Sequence, residues 1–262
     1  MKRPPASLFA ISTFAAALVG VACTTTVPET GRKQVNFLDP AQEASLGLTE
    51  FQKMKQTLRI STDPGYNALV QRVGRQLSTY MPVPNAEWEF VVFEDPSPNA
   101  FALPGGKVGV HTGLFQISQN EAGLAAVIGH EVAHVVARHS GERLSQNAIA
   151  GVAVAGAGYV LNKDGRNGAL ATAAMGGGAL VATKAWGRGQ ELEADRMGAI
   201  FMARAGYDPR ESVELWKRFA DWRTKNKQGG GGPQFLSTHP LDEKRIAELE
   251  YYMPQALAEY RR

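Results

Sequence analysis

One cysteine, Cys23, is all the chain has, so no internal disulfide can hold the fold. Long apolar runs are missing as well. The stretch Leu8 to Ala22 has 15 residues and Ala148 to Leu161 has 14. Both fall short of the ~20 residues that span a bilayer. Charge of one sign is scarce. The net charge is +3, and it falls to +1 once the first 22 residues are set aside, leaving 26 basic against 25 acidic residues. With no dense Lys/Arg patch, this excludes a nucleic-acid-binding surface. No repeat of 20 to 50 residues recurs, which excludes a solenoid. What remains is 262 residues, 44% hydrophobic, enough for one domain with appendages and a sizeable core.

The first residues read as a targeting segment. Lys2 and Arg3 precede the apolar stretch, and Gly20-Val21-Ala22-Cys23 follows it. Small residues before a lone cysteine suggest a bacterial lipoprotein signal over 1–22, with Cys23 lipidated and inserted in a membrane. Gly-x-Ala also suits an ordinary signal peptidase cutting at the same bond. Either way the protein leaves the cytoplasm. Residues 23–38, polar with Pro28 and Gly31, read as a lipidated tether, and 39–262 as one domain.

Element signals are regular. Asp39-Pro40 and Asp63-Pro64 each combine an N-cap with a first-turn proline, predicting helices to about Arg59 and Tyr80. Trp88 to Phe93, Phe101 to Leu103 and Lys107 to His111 read as strands, the last two separated by Pro104-Gly105-Gly106. Asn120-Glu121 opens a helix predicted to run to about Gln146. Further helices are predicted over 188–205, 209–225 and 240–258. Between them, residues 147–183 hold two uncharged Ala/Gly/Val runs around Lys163-Asp164-Gly165-Arg166. They read as a small-residue helical hairpin, either packed on that domain, or dipping into a membrane or presenting a mobile apolar lid.

The chemistry lies in His130-Glu131-Val132-Ala133-His134. Histidines at i and i+4 share a helix face and can grip one metal ion, and the glutamate between them can serve as general base. With five His and 17 Glu in the chain, this spacing arises by accident about 0.006 times. A catalytic zinc takes a third protein ligand. His111, His139 and His239 remain, but Glu191-Leu192-Glu193-Ala194-Asp195 is the stronger source. Glu191 and Asp195 share a helix face. Glu191 can ligate, and Asp195 can accept a hydrogen bond from the far nitrogen of His130 or His134. Glu193 lies about 200° round the helix from Glu191. His139, five residues past His134, falls off the metal-facing side and reads as structural. Tyr207 is a weaker candidate donor to the site and reads first as packing at a helix end.

His-Glu-x-x-His followed by Glu-x-x-x-Asp resembles the gluzincin metallopeptidases. Asn99-Ala100-Phe101-Ala102-Leu103-Pro104-Gly105-Gly106, Thr112-Gly113-Leu114, Ala205-Gly206-Tyr207-Asp208-Pro209 and Ser237-Thr238-His239-Pro240 resemble one family. It is that of the CAAX prenyl endopeptidases and HtpX-type proteases, and the likeness is to its soluble periplasmic branch. The resemblance covers roughly residues 30 to 255. It implies an α+β, mostly helical, zincin-like domain with a small antiparallel or mixed sheet beside the active-site helix. It also implies one zinc, endopeptidase activity, His130, His134 and Glu191 as ligands and Glu131 as base. The family's His-Pro-x4-Arg pattern places His239 and Arg245 at the site as candidate oxyanion donors. His239 has a second possible role, filling zinc's open position and holding the enzyme latent. In this reading the segment from Asn99 presents a sheet edge on which an extended peptide adds as a strand, with Asn99, Ala100 and Phe101 as substrate-binding residues and Asn99-Ala100 beside the scissile bond.

The expectation is a zinc endopeptidase of the bacterial periplasm, anchored by Cys23 to the outer membrane and acting on unfolded or misassembled envelope proteins. The competing expectation is an envelope chaperone or assembly scaffold with a latent or weak zinc site.

Overall fold

The computed structural model describes residues 24–149, 187–226, 234–241 and 243–260. The signal segment, Cys23 and all of the predicted hairpin beyond residue 149 lie outside the described residues. By internal contacts the chain divides into two units, residues 1–39 with 141–177, and residues 40–140 with 178–262.

In the first unit, β1 (Thr24–Thr26) pairs antiparallel with β2 (Lys33–Val35), Thr24 facing Val35. The turn closes through Val27 N–H to the Arg32 carbonyl (2.8 Å), and Gly31 takes a φ of +70° there. The stretch expected as a plain tether therefore contains a hairpin, since a β-branched threonine run meets a glycine-bearing turn. Arg32 forks onto Glu142, Nη1 to Oε1 at 2.7 Å and Nη2 to Oε2 at 3.0 Å. Phe37 N–H donates to Ser145 Oγ (2.9 Å).

The second unit begins with helices α1 (Pro40–Thr57) and α2 (Pro64–Ser78). Asp63 Oδ1 accepts from Tyr66 N–H at 2.9 Å, the N-cap expected from Asp63-Pro64. Strands β3 (Glu89–Phe93), β4 (Ala100–Leu103) and β5 (Lys107–His111) form a mixed sheet in the order β3-β5-β4. β3 runs parallel to β5, and β4 antiparallel to it with Phe101 opposite Gly109. Every residue of the central β5 is buried, whereas β4 is an edge strand. Gly105 and Gly106, at φ +84° and +80°, make the turn that joins them. Phe51, Val91, Phe93 and Leu103 form a core cluster into which Phe101 also packs.

After a short turn of helix, α3 (Phe115–Ser118), comes α4 (Glu121–Val136), capped by Asn120 Oδ1 accepting from Gly123 N–H at 2.7 Å. From Gly123 to Val136 every residue of α4 is buried, as a helix apolar all round requires. The helix does not run on to Gln146 as expected. Arg138 adopts φ +56°, and the chain resumes as α5 over 139–149. Next come α6 (Arg188–Arg204), α7 (Glu211–Lys225), the single turn α8 (Gln234–Thr238) and α9 (Glu243–Glu259). α6 ends in a left-handed Gly206, with Tyr207 N–H to Met202 O at 2.8 Å and Gly206 N–H to Ala203 O at 3.0 Å. α4 packs against α6, β4 and α7, while α9 covers α6. Among the described residues no helix is long and apolar enough to cross a membrane.

Candidate metal centre

Four side chains converge where α4, α6 and the turn after α8 meet. One donor atom each from His130, His134, Glu191 and His239 lies within 4.8 Å of the others, and all four residues are buried. His130 Nε2 is 3.2 Å from His134 Nε2 and 3.1 Å from His239 Nδ1. Glu191 Oε1 is 3.4 Å from His134 Nε2 and 3.0 Å from His239 Nδ1. Zinc bonds of about 2.0–2.1 Å arranged tetrahedrally set donors roughly 3.3–3.5 Å apart. The donor set therefore has the chemistry and nearly the spacing of a zinc site.

Charge points the same way. Glu131, Glu191 and Asp195 are at most 5% exposed, and when ionised they carry three negative charges. Arg245, 1% exposed, returns one positive charge. The remaining −2 is costly in a buried cluster unless a cation balances it. Glu131 Oε1 and Glu191 Oε2 are buried atoms without a well-formed hydrogen bond. Glu191 Oε2 nevertheless has Arg245 Nη1 as a close ion-pair partner.

The surroundings fix each ring and carboxylate. His130 Nδ1 stands 2.9 Å from Asp195 Oδ1, a hydrogen-bond length although the approach is bent away from the N–H direction. A carboxylate there holds the ring proton on Nδ1 and leaves Nε2 with its lone pair toward the cluster. Arg245 donates from Nε to Asp195 Oδ2 (2.9 Å), from Nη2 to Asp195 Oδ1 (2.8 Å) and from Nη1 to the Pro240 carbonyl (3.0 Å). Arg245, the expected candidate oxyanion donor, stands with its guanidinium 4.2 Å over the Trp216 ring and its fork on the Asp195 carboxylate of α6.

Burial pushes the Glu131 carboxyl above the usual carboxylate range, with His239 and His130 opposing. Burial would raise Glu191 too, but His239, Arg245 and His134 together hold it well below that range. Asp195 is likewise lowered against its burial, by Arg245 and His130. Burial depresses His134 strongly and keeps its ring neutral, the form a ligand needs. His239 is raised despite burial by the facing Glu131 and Glu191.

His239 Nε2 lies 3.3 Å from Glu131 Oε1 while its Nδ1 faces the ligands, so one imidazole bridges base and metal donors. Phe235 stacks on the His239 ring at 4.5 Å and on Phe219 at 4.9 Å. Trp216 meets His130 edge-on at 5.1 Å. This aromatic wall was not foreseen. Its one sequence signal is the i, i+4 spacing of Phe235 and His239. His139 was read as lying off the metal-facing side. Its Nδ1 is 2.8 Å from His134 Nδ1 and its Nε2 2.9 Å from Glu193 Oε2. His111 stays outside the cluster, 3.5 Å from Asp95. Phe101 turns its ring onto Phe51, Phe93 and the bare backbone of Gly109, and β4 is an edge strand of the sheet. The Asn99 carbonyl accepts from His111 N–H at 2.9 Å. Tyr207 packs at the end of α6, its hydroxyl donating to Gln76 Oε1 at 2.9 Å.

A paired-histidine helix with an intervening buried glutamate, a glutamate ligand from a second helix and a mixed sheet beside them define a zincin-type metallopeptidase. Residues 64–253 match peptidase family M48, and the chain belongs to that family. It is 33% identical over 233 residues to the mitochondrial metalloendopeptidase OMA1 of Schizosaccharomyces pombe, covering 88% of this chain and 66% of that protein. It is 30% identical over 241 residues to the putative beta-barrel assembly-enhancing protease of Vibrio cholerae, covering 88% and 49%. With the beta-barrel assembly-enhancing protease of Escherichia coli it shares 29% over 233 residues, covering 85% and 46%. The chain thus spans about half to two thirds of the length of these relatives, which are mitochondrial and bacterial alike.

Proposed function

We propose that the protein is a zinc-dependent endopeptidase that hydrolyses peptide bonds with Glu131 as general base. The observation that carries this reading is the placing of the buried Glu131 carboxylate beside four donor atoms spaced for zinc. Zinc, when bound, supplies a Lewis acid that makes water nucleophilic near neutral pH. His130, His134 and Glu191 hold it. Glu131 removes the proton of the attacking water and returns it to the leaving amine. Asp195 orients His130, and Arg245 clamps Asp195 and Glu191 from behind. An extended substrate adds to the edge of β4 through backbone hydrogen bonds near Asn99, Ala100 and Phe101.

His239 acts as a latch. With Nδ1 at ligand spacing and Nε2 toward Glu131, it would serve as a further ligand when zinc is bound and would cover the base. Displaced by substrate, the same ring is free to donate to the oxyanion. We assign the protein to the soluble periplasmic branch of the family, lipid-anchored through Cys23 to the outer membrane. There it acts on unfolded or misassembled envelope proteins, a reading supported by the relatives named for β-barrel assembly. His239 Nδ1 at ligand spacing also favours a second reading, an assembly scaffold whose zinc site would rarely turn over.

The experiment compares cleavage of unfolded casein by wild type, Glu131→Gln and His239→Ala. Cleavage by wild type but not Glu131→Gln supports the peptidase. Equal inertness of the two, with retained client binding, supports the scaffold. A faster His239→Ala supports the latch, and a dead one leaves His239 as an oxyanion donor alone.

A further inference from the structure

We propose that His139 and Glu193 are positioning residues that fix the protonation pattern of His134, so that its Nε2 presents a lone pair to the metal. The inference rests on the zinc site argued above. His134, His139 and Glu193 form a buried line: Nδ1 to Nδ1 at 2.8 Å, then Nε2 to Oε2 at 2.9 Å.

Proton accounting gives the line a direction. Two imidazole nitrogens 2.8 Å apart share one proton. The Glu193 carboxylate only accepts, so His139 Nε2 carries a proton. A neutral His139 then has a lone pair on Nδ1, which accepts from His134 Nδ1–H. That leaves His134 Nε2 unprotonated, 3.4 Å from Glu191 Oε1 and 3.2 Å from His130 Nε2. The opposite arrangement would push a proton into the middle of the ligand cluster. His130 reaches its carboxylate, Asp195, directly. His134 reaches one through an interposed imidazole.

The backbone is bent to make this contact. In an unbroken helix, residues five apart lie about 140° from each other around the axis, and His139 would face away from His134. Arg138 at φ +56° interrupts α4 and brings the ring back. A left-handed conformation is uncommon for a residue with a Cβ and is retained where surrounding contacts impose it. Arg138 is held by Nε donating to Glu43 Oε2 at 2.8 Å. α6 serves both arms. Glu191 faces the donors, and Glu193, on the other side of the helix, meets His139.

The test measures zinc affinity of the full chain by competition with a chromophoric chelator, starting with wild type. A wild type that binds no zinc overturns the metal site itself, and the relay with it. With wild type binding, His139→Phe keeps a ring but offers no acceptor, and zinc should bind about 10–100-fold more weakly. His139→Asn sets Oδ1 where Nδ1 stood, and affinity should return to within about threefold of wild type. The cobalt(II)-loaded visible spectrum should change in the Phe variant and not in the Asn variant. A Phe variant that binds like wild type, or an Asn variant as weak as Phe, overturns the relay and leaves the metal site standing. Should His139→Phe fail to fold, the ring 15N–1H spectrum of zinc-loaded wild type decides. Protons on His134 Nδ1 and His139 Nε2 support the relay, and a proton on His139 Nδ1 overturns it.

Discussion

A Cβ built on Gly198 would lie 2.9 Å from the backbone nitrogen of His130, so the two ligand-bearing helices touch backbone to backbone. Gly129 meets the same contact from the other side, its Cβ position 3.0 Å from the Gly198 carbonyl oxygen. Backbone cannot step aside as a flexible side chain can. Gly198→Ala should therefore push α6 from α4, costing about 1–3 kcal/mol of stability. It should also weaken zinc binding, because Glu191 rides on α6. Urea unfolding and chelator competition read the two effects, and a variant unchanged in both would contradict the packing argument.

Arg245 is the buried counter-charge of two carboxylates. Arg245→Met leaves Asp195 and Glu191 without it, and should cost about 3–5 kcal/mol, the usual result of removing one partner from a buried pair. Arg245→Lys should rescue little, since one ammonium cannot match a fork that meets both Asp195 oxygens. Denaturant midpoints of the three proteins give the comparison.

Glu131 touches the site without belonging to the ligand set. Glu131→Gln should keep one zinc per chain by metal analysis while activity falls about 10²–10⁴-fold. Loss of zinc together with activity would instead make Glu131 a ligand.

Metal removal should destabilise the fold. With free zinc at a hundredfold excess over its Kd, binding contributes roughly 2.7 kcal/mol. For a chain of this size the melting temperature should drop by about 5–10 °C after chelation and recover on adding zinc back. Glu131, Glu191 and Asp195 are the groups whose repulsion the metal relieves.

Much of the site was legible because helix periodicity is rigid. His130 and His134 at i and i+4, and Glu191 and Asp195 at i and i+4, project from their helices as the spacing requires. His139 was misread for the same reason. The argument assumed an unbroken helix, and the turn at Arg138 carries no glycine or proline to announce it. Glu193 was set aside by its angle from Glu191, which is correct for a metal ligand but not for a second helix face with its own histidine. Strand β5 was read to its boundaries, because β-branched residues and flanking glycines mark it. The destination of the Arg245 guanidinium was not readable, since it depends on how α9 lies on α6. The hairpin at 24–35 was hidden by its polar composition.

The counter-charge comes from well downstream of the carboxylates it serves. Arg245 follows Asp195 by 50 residues, and His239 follows His130 by 109. A ribosome releases the paired histidines and their acidic partners well before the arginine that neutralises them. During synthesis the half-built centre is an electrostatic mismatch, and it stays one until α9 docks. Assembly of the buried centre is thereby tied to the docking of α9 on α6, which brings Arg245 to Asp195 and Glu191.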